Sequence, residues 1–399
     1  MSCEHQSLND GTELRIARAQ ADLQALAGRL HHRLPNTAME RSAAEYIHDR
    51  LKPIAQTVEM DDFYSIDNPF IVFASYYAEF TIVSLLAIGW PLISFFYGVA
   101  VFVVYLAEFT GYRVMSRFMP QFETQNVVAR FFAPNPRRTV VVMAHYDTGL
   151  KGPLERPALR RWLPWLHTGL LVCMIGVIAS CAVEALHEGS PSGLYEASAR
   201  WAATGFLLAG AVLVTINQWM AEPVRGANDN ASGVAALLSL AERFRETPLK
   251  HVDLHLVATG ANKTWMSGAR QFVSTHGFDR STTCYINLDT VGAGPPGYTT
   301  REGMLVSYRC DRDLVQAARE AAPAYGALPR CIRAASWDSL IPLAHGYRTI
   351  TVTGAGEPQE MDRIAHVDGS NVVRAADFTE DLIRRLAATI EKEEKEPCK

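Results

Sequence analysis

The stretch GANDNASGVAALLSLAERF, Gly226 to Phe244, decides how the polar part of this chain is read. Asp229, set between Asn228 and Asn230, forms a small polar turn ahead of Val234, Leu237, Leu238, Leu240 and Ala241. The spacing of those apolar positions predicts an amphipathic helix over 231–245. Asp or Asn just before such a run is ordinarily a helix cap, its side-chain oxygen accepting from the first free amides. Whether Asp229 does more depends on what the rest of the chain brings to it.

Upstream of the turn the chain is strongly apolar. Among 399 residues the hydrophobic share is 48% and the charged share 20%, but the apolar residues are segregated into 71–109 and 162–221. A bilayer core takes roughly 20 apolar helical residues per crossing. As a single helix, Phe80 to Ala107 is overlong at about 42 Å, so the first run reads as a hairpin turning at Gly89-Trp90-Pro91. Glu79 and Glu108 in it are expected to face protein or water. The second run divides into two spans around HEGSPSGLYEASAR, residues 187–200, giving four crossings in all.

Two hairpins leave every large polar segment on one side of the membrane. Arg113, Arg117, Arg156, Arg160, Arg161 and Arg225 flank the spans there, whereas the connecting turns offer little beyond Arg200. The positive-inside rule makes that side cytoplasmic. The charged N-terminal sequence lacks a signal-peptide core, and seven scattered cysteines do not read as a disulfide framework. A net charge of −4 without an aromatic-interleaved basic patch argues against nucleic acid as a partner.

With the hairpins at 69–118 and 161–221 removed, residues 1–68, 119–160 and 222–399 alternate between helix and strand patterns. Helices are predicted over 12–30, 38–52, 231–245, 264–275 and 314–322, and from Val372 onward. Strands are predicted at NVVARFF (126–132), TVVVMAH (139–145), HVDLHLVAT (251–259), TCYINLD (283–289), GMLVSY (303–308) and TITVTG (349–354). Such alternation predicts an α/β fold, a three-layer sandwich on a mostly parallel sheet.

In sheets of this kind functional groups gather at the carboxyl edge of the strands. VVVMAHYDT ends at His145 and Asp147, TCYINLDT at Asp289; Asp229 opens a helix, and His366 lies in the loop MDRIAHVDGS. Histidine with carboxylates suits zinc, and a carboxylate can bridge two ions. In this order the segments LPNTAMERSAAEYIHDRL, NVVARFFAPNPRRTVVVMAHYDT, GANDNASGVAALL and INLDTVG, followed by the late histidine loop, resemble the two-zinc aminopeptidase family. That family includes secreted bacterial aminopeptidases, glutamate carboxypeptidase and glutaminyl cyclases, with transferrin-receptor-like relatives that are not peptidases. The resemblance implies an aminopeptidase-like fold in which His145 and Asp289 bind one zinc, Asp229 bridges, His366 binds the second zinc and Asp147 orients His145.

The chain departs from the family where two adjacent glutamates, a general base and a zinc ligand, are expected. In LVATGANKTWMSGARQF those positions are Asn262 and Lys263. Asn cannot accept a proton from water, and a protonated Lys cannot bind zinc. An ammonium about 4 Å from a dication is opposed by roughly 8 kcal/mol at an effective dielectric near 20. One zinc at most is therefore expected, with Lys263 in the second ion's place near Asp229 and His366. Asp338 and Ser339 stand where the family resemblance implies an Asp-His pair, and Tyr146, Trp265, Trp337 and His345 are candidates to line a pocket.

Two readings follow: a membrane-embedded metallohydrolase acting on a peptide, aminoacyl or amphipathic small-molecule amide, and a pseudopeptidase kept as a scaffold for a protein partner or membrane lipid. Transport through four spans is weaker, because four helices leave little room for a path. The topology is testable by labelling single introduced cysteines from outside the cell. Ser192→Cys is expected to react strongly and Asn135→Cys to be protected; the reverse pattern overturns the orientation.

Overall fold

The computed structural model describes residues 2–109, 112–186, 193–303, 306–333, 337–356 and 362–395. The first part of the loop predicted at 187–200 and part of the strand predicted at 303–308 lie outside them. The chain divides into two compact units. One comprises Met1–Asp67, Gln121–Gly149 and Pro223–Lys399, and the other Asn68–Pro120 and Leu150–Glu222.

The first unit is built on a nine-stranded sheet. Its strands are β1 Thr57–Ser65, β2 Phe122–Phe131, β3 Arg138–His145, β4 Val252–Thr259, β5 Thr283–Asp289, β6 Pro296–Glu302, β7 Tyr308–Arg309, β8 Leu328–Cys331 and β9 Arg348–Gly354. They lie in the order β1-β2-β4-β3-β5-β9-β6-β8, with β7 beside β6. The four central strands β4, β3, β5 and β9 are parallel, as are β6 and β8. The pairs β1-β2, β2-β4, β9-β6 and β6-β7 are antiparallel. The sheet is thus mixed rather than mostly parallel, because a meander precedes the parallel core and a reversed strand follows it.

Alternate residues of the central strands feed two buried layers. Val140, Val142 and Ala144 of β3 join Ile286, Leu288 and the helices Ser232–Glu246 and Gly369–Lys395 in one cluster. Val141, Met143, Val257 and Tyr285 meet the helices Ser267–His276 and Leu340–Ala344 in the other. With both faces covered, the strands read as continuous apolar runs. The parity places His145 and Asp289, the last residues of β3 and β5, on one face at the carboxyl edge.

The predicted strand at 303–308 is displaced: regular pairing runs over Pro296–Glu302 and resumes at Tyr308–Arg309. Tyr146 does not line a pocket, being fully buried with its hydroxyl donating to Gln125 O at 2.6 Å.

The second unit holds four long apolar helices, Pro69–Leu86, Pro91–Phe109, Leu163–Leu186 and Gly193–Trp219. Each is long and apolar enough to cross a membrane. The last begins at Gly193, so much of the polar segment read as a loop is helical. Their outward faces carry Leu85, Ile93, Phe96, Val172 and Val212. Polar groups turn inward: Tyr97 Oη donates to Glu79 at 2.9 Å, and Ser84 and Thr204 share a 2.6 Å bond. Glu108 accepts from Tyr76 Oη and from the amides of Val114 and Met115.

A buried guanidinium ties the first unit's loops together. Arg33 is 0% exposed and donates to the carbonyls of Leu26 and Tyr146 at 2.6 Å and of Arg225 and Gly226 at 2.8 Å. Its own backbone exchanges bonds with Thr148. Burial pushes its pKa down to about 10, against the pull of Asp147, Asp362 and Asp229. Arg33→Met strands four carbonyls at about 1–3 kcal/mol each, so a loss on the order of 4 kcal/mol or more is expected. Arg33→Lys should recover only part of it, since one ammonium cannot reproduce the guanidinium fork. An unchanged melting midpoint in Arg33→Met overturns this assignment.

Candidate metal centre

The turn that carries Asp229 is shaped before the helix begins. Gly226 takes a left-handed conformation, φ 59°, and a Cβ there would fall 2.4 Å from Thr148 Cγ2 and 2.6 Å from Asp229 O. The capping role belongs to Asn230, whose Oδ1 accepts from Gly233 N and Thr290 N at 3.0 Å while its Nδ2 donates to Leu288 O. Asn228 Oδ1 accepts from Gly292 N. Asp229 is therefore released from capping, and its carboxylate turns to the strand ends.

There His145, Asp229 and Asp289 bring one donor atom each within 4.8 Å of one another. His145 Nε2 lies 3.1 Å from Asp229 Oδ1 and 3.5 Å from Asp289 Oδ2. Buried His145 Nε2 and both Asp289 oxygens have no hydrogen-bond partner. A tetrahedral zinc with bonds of about 2.0–2.1 Å sets its ligands about 3.3 Å apart. The separations, orphaned atoms and donor types fit such an ion. On the other side of the ring, His145 Nδ1 lies 3.3 Å from Asp147 Oδ1 and 3.2 Å from Asp147 O, an arrangement that holds the imidazole's orientation.

Lys263 extends along Gly149, where a Cβ would meet its methylenes at 3.6–3.8 Å. Its Nζ donates to Asp229 Oδ1 at 2.8 Å and Oδ2 at 3.0 Å. Burial opposes charge on both partners, yet each holds the other ionised. Asp229 stays well below the usual carboxylate range under Lys263 and His145, and Lys263 rises above the usual amine range under Asp229, Asp289 and Asp147. Burial and Lys263 act to lower His145, but the three surrounding aspartates raise it overall. Asp289 is raised by burial.

Asn262 Nδ2 donates to Asp338 Oδ1 at 2.8 Å, and Asp338 also accepts from Thr259 Oγ1. Burial raises Asp338. Beside it, Ser339 donates to buried Glu302. His366 ends the short exposed turn Ile364–His366 and falls outside the three-residue cluster. Trp265 packs against the second core layer, and His345 lies within bonding reach of Ile341 O.

Three residues were not singled out from the sequence. Asp362 receives Asn228 N at 2.6 Å and Asp229 N at 2.8 Å, and its only sequence signal is an acid four positions before His366. Arg33, described above, is the second. Glu40, the third, accepts from Asn36 N, Thr124 Oγ1 and Ala261 N, and so anchors the loop that bears Asn262 and Lys263. That loop holds Ala261, Trp265 and Met266 at positive φ, at about 1–3 kcal/mol each. Asn126 and Asp147 fix it further through Gly260 N and Lys263 N.

The chain thus carries a mixed α/β sheet with a histidine-aspartate cluster at the carboxyl edge of its strands. Residues 211–379 match the family model Peptidase family M28. In fold the chain is similar to a zinc aminopeptidase from Bacillus subtilis, with TM-score 0.54 and 13% identity over 93% of this chain and 95% of that one. It is also similar to the aminopeptidase from Aneurinibacillus sp. strain AM-1, with TM-score 0.56 and 12% identity over 93% of each. For the Bacteroides thetaiotaomicron glutaminyl cyclase bound to N-acetylhistamine the TM-score is 0.51 and the identity 14%, over 92% and 97%. Over 80 residues the sequence is 32% identical to the probable lipoprotein aminopeptidase LpqL of Mycobacterium tuberculosis, a match spanning 20% of this chain and 16% of that protein.

Glu40 gives the first unit a pH signature. Burial and then Asp147 push its pKa from the ordinary 4.5 up to about 8, against the three bonds it accepts. Between those values the folded chain keeps a proton that the unfolded chain has released, so Glu40 favours folding less as pH rises through the window. The melting midpoint is expected to fall across that range, and Glu40→Gln to flatten the slope. An identical slope in the variant sinks the assignment.

Proposed function

We propose that the chain is a membrane-embedded amide hydrolase of the zinc-aminopeptidase type with a single-ion centre held by His145, Asp229 and Asp289. The observation that carries this reading is the bonding of Lys263 Nζ to both oxygens of Asp229, directly beside orphaned donors on His145 and Asp289. Four apolar helices support the membrane setting. In this reading they form two hairpins inserted into the α/β domain, which faces the cytoplasm by the arginines at the span ends.

A zinc ion bound there would supply Lewis acidity toward a carbonyl or a water molecule. The residues of the chain do the rest. Asp147 keeps His145 in one orientation, and Lys263 balances the charge of Asp229. Asn262, held by Asp338, orients a water through its amide oxygen but cannot take its proton, so ordinary aminopeptidase turnover is low. His366 is the ligand a second ion would recruit once Lys263 is removed. The second reading, a pseudopeptidase that binds a protein partner, is favoured by the same loss of a general base at Asn262.

Zinc analysis of purified protein separates these readings. Wild type is expected to hold no more than one ion per chain and Asp229→Ala none. The double change Asn262→Glu, Lys263→Glu should hold two ions and hydrolyse aminoacyl amides. Two tight ions in the wild type overturn the single-ion centre, and two ions without hydrolysis in the double variant favour the partner-binding reading.

A further inference from the structure

Most carboxylates around the centre already accept from donors of this chain, and the two with orphaned oxygens, Asp147 and Asp289, are buried. Both oxygens of Asp362 accept backbone amides. Asp338 is spent on Thr259 and Asn262, and Asp147, 0% exposed, accepts Lys263 N and faces His145. Asp289 is 1% exposed and turned toward His145. Asp229, whose side chain is 43% exposed, has both oxygens on Lys263. The exposed carboxylate of Asp229 thus meets solvent with its charge already balanced by the ammonium of Lys263.

The accessible group with donor capacity is Lys263. Its side chain is 28% exposed, and an ammonium has three protons, of which Asp229 takes at most two. Packing along Gly149 fixes the direction from which that nitrogen is met. A substrate ammonium arriving at this nitrogen meets another donor and a like charge. A carboxylate finds a charge-assisted bond next to the candidate ion.

Resting on the hydrolase reading, we propose that this centre recognises its substrate through a carboxylate seated on Lys263, so that the substrate class is an N-acylated amino acid or N-blocked acidic amide rather than a peptide with a free amino terminus. The position that would carry a second metal serves instead as an anion subsite. Lys263 sets this specificity.

Calorimetric titration of the purified full-length chain with N-acetyl-L-leucine, N-acetyl-L-leucinamide and L-leucinamide tests the proposal, with zinc content read on the same samples. N-acetyl-L-leucine is expected to bind at least about tenfold tighter than either amide, as one charge-assisted bond allows. Lys263→Met should abolish the preference, and Lys263→Arg, which keeps the charge and donors, should retain most of it. Tightest binding of L-leucinamide, a preference that survives Lys263→Met, or no binding of any probe overturns the proposal. A carboxylate preference in protein without zinc upholds the subsite and removes the hydrolase reading. Zinc-loaded protein without the preference does the reverse.

Discussion

The centre depends on a buried cation that has no carboxylate partner. Arg33 takes its four carbonyl acceptors from the helical N-terminal region, the segment after β3 and the turn before Asp229. Because those acceptors are neutral dipoles, the guanidinium leaves the nearby aspartates free for other partners. It also fixes the separation between the strand end bearing His145 and the turn bearing Asp229. Without that constraint, the 3.1 Å approach of the two side chains would depend on two loops finding one another unaided.

Charge balance then determines what the centre can hold. Three aspartates crowd around one histidine and one lysine, and burial works against each charge separately. Lys263 settles part of the account by standing against Asp229, which leaves donors suited to one dication. The neighbouring Asn262 offers an amide, held by Asp338, that cannot accept a proton. In the proposed reading Lys263 and Asn262 are thus complementary: one sets how many ions would fit, the other what a bound water could do.

Much of this was legible in the sequence where side chains speak to side chains. TCYINLD was read to the residue as β5, because a run buried on both faces lacks the polar alternation of a surface strand. His145, Asp229 and Asp289 were legible as polar residues at the ends of apolar elements. β1, TVEMDDFYS, was missed because an edge strand with three acids and only two buried positions lacks the alternation that marks a half-buried strand. β6 was misplaced because it opens on Pro296-Gly297 and carries its pairing through small and polar residues. Arg33, Glu40 and Asp362 were invisible for a common reason: most of their partners are backbone atoms, which leave no pattern in the sequence.

The interleaving of the two units bears on how the chain is made. β3 has β4 and β5 as its neighbours, and both are encoded after the second pair of apolar helices. Between His145 and Val252 the ribosome must add about a hundred residues, which at roughly 5–20 residues per second leaves β3 waiting for seconds with both edges open. Over that interval the strand VVVMAH is an apolar, edge-exposed segment held beside nascent hydrophobic helices. Biogenesis of this protein therefore places a demand on whatever shields nascent chains: the strand that ends at His145 is the part most exposed to mispairing before the sheet can close.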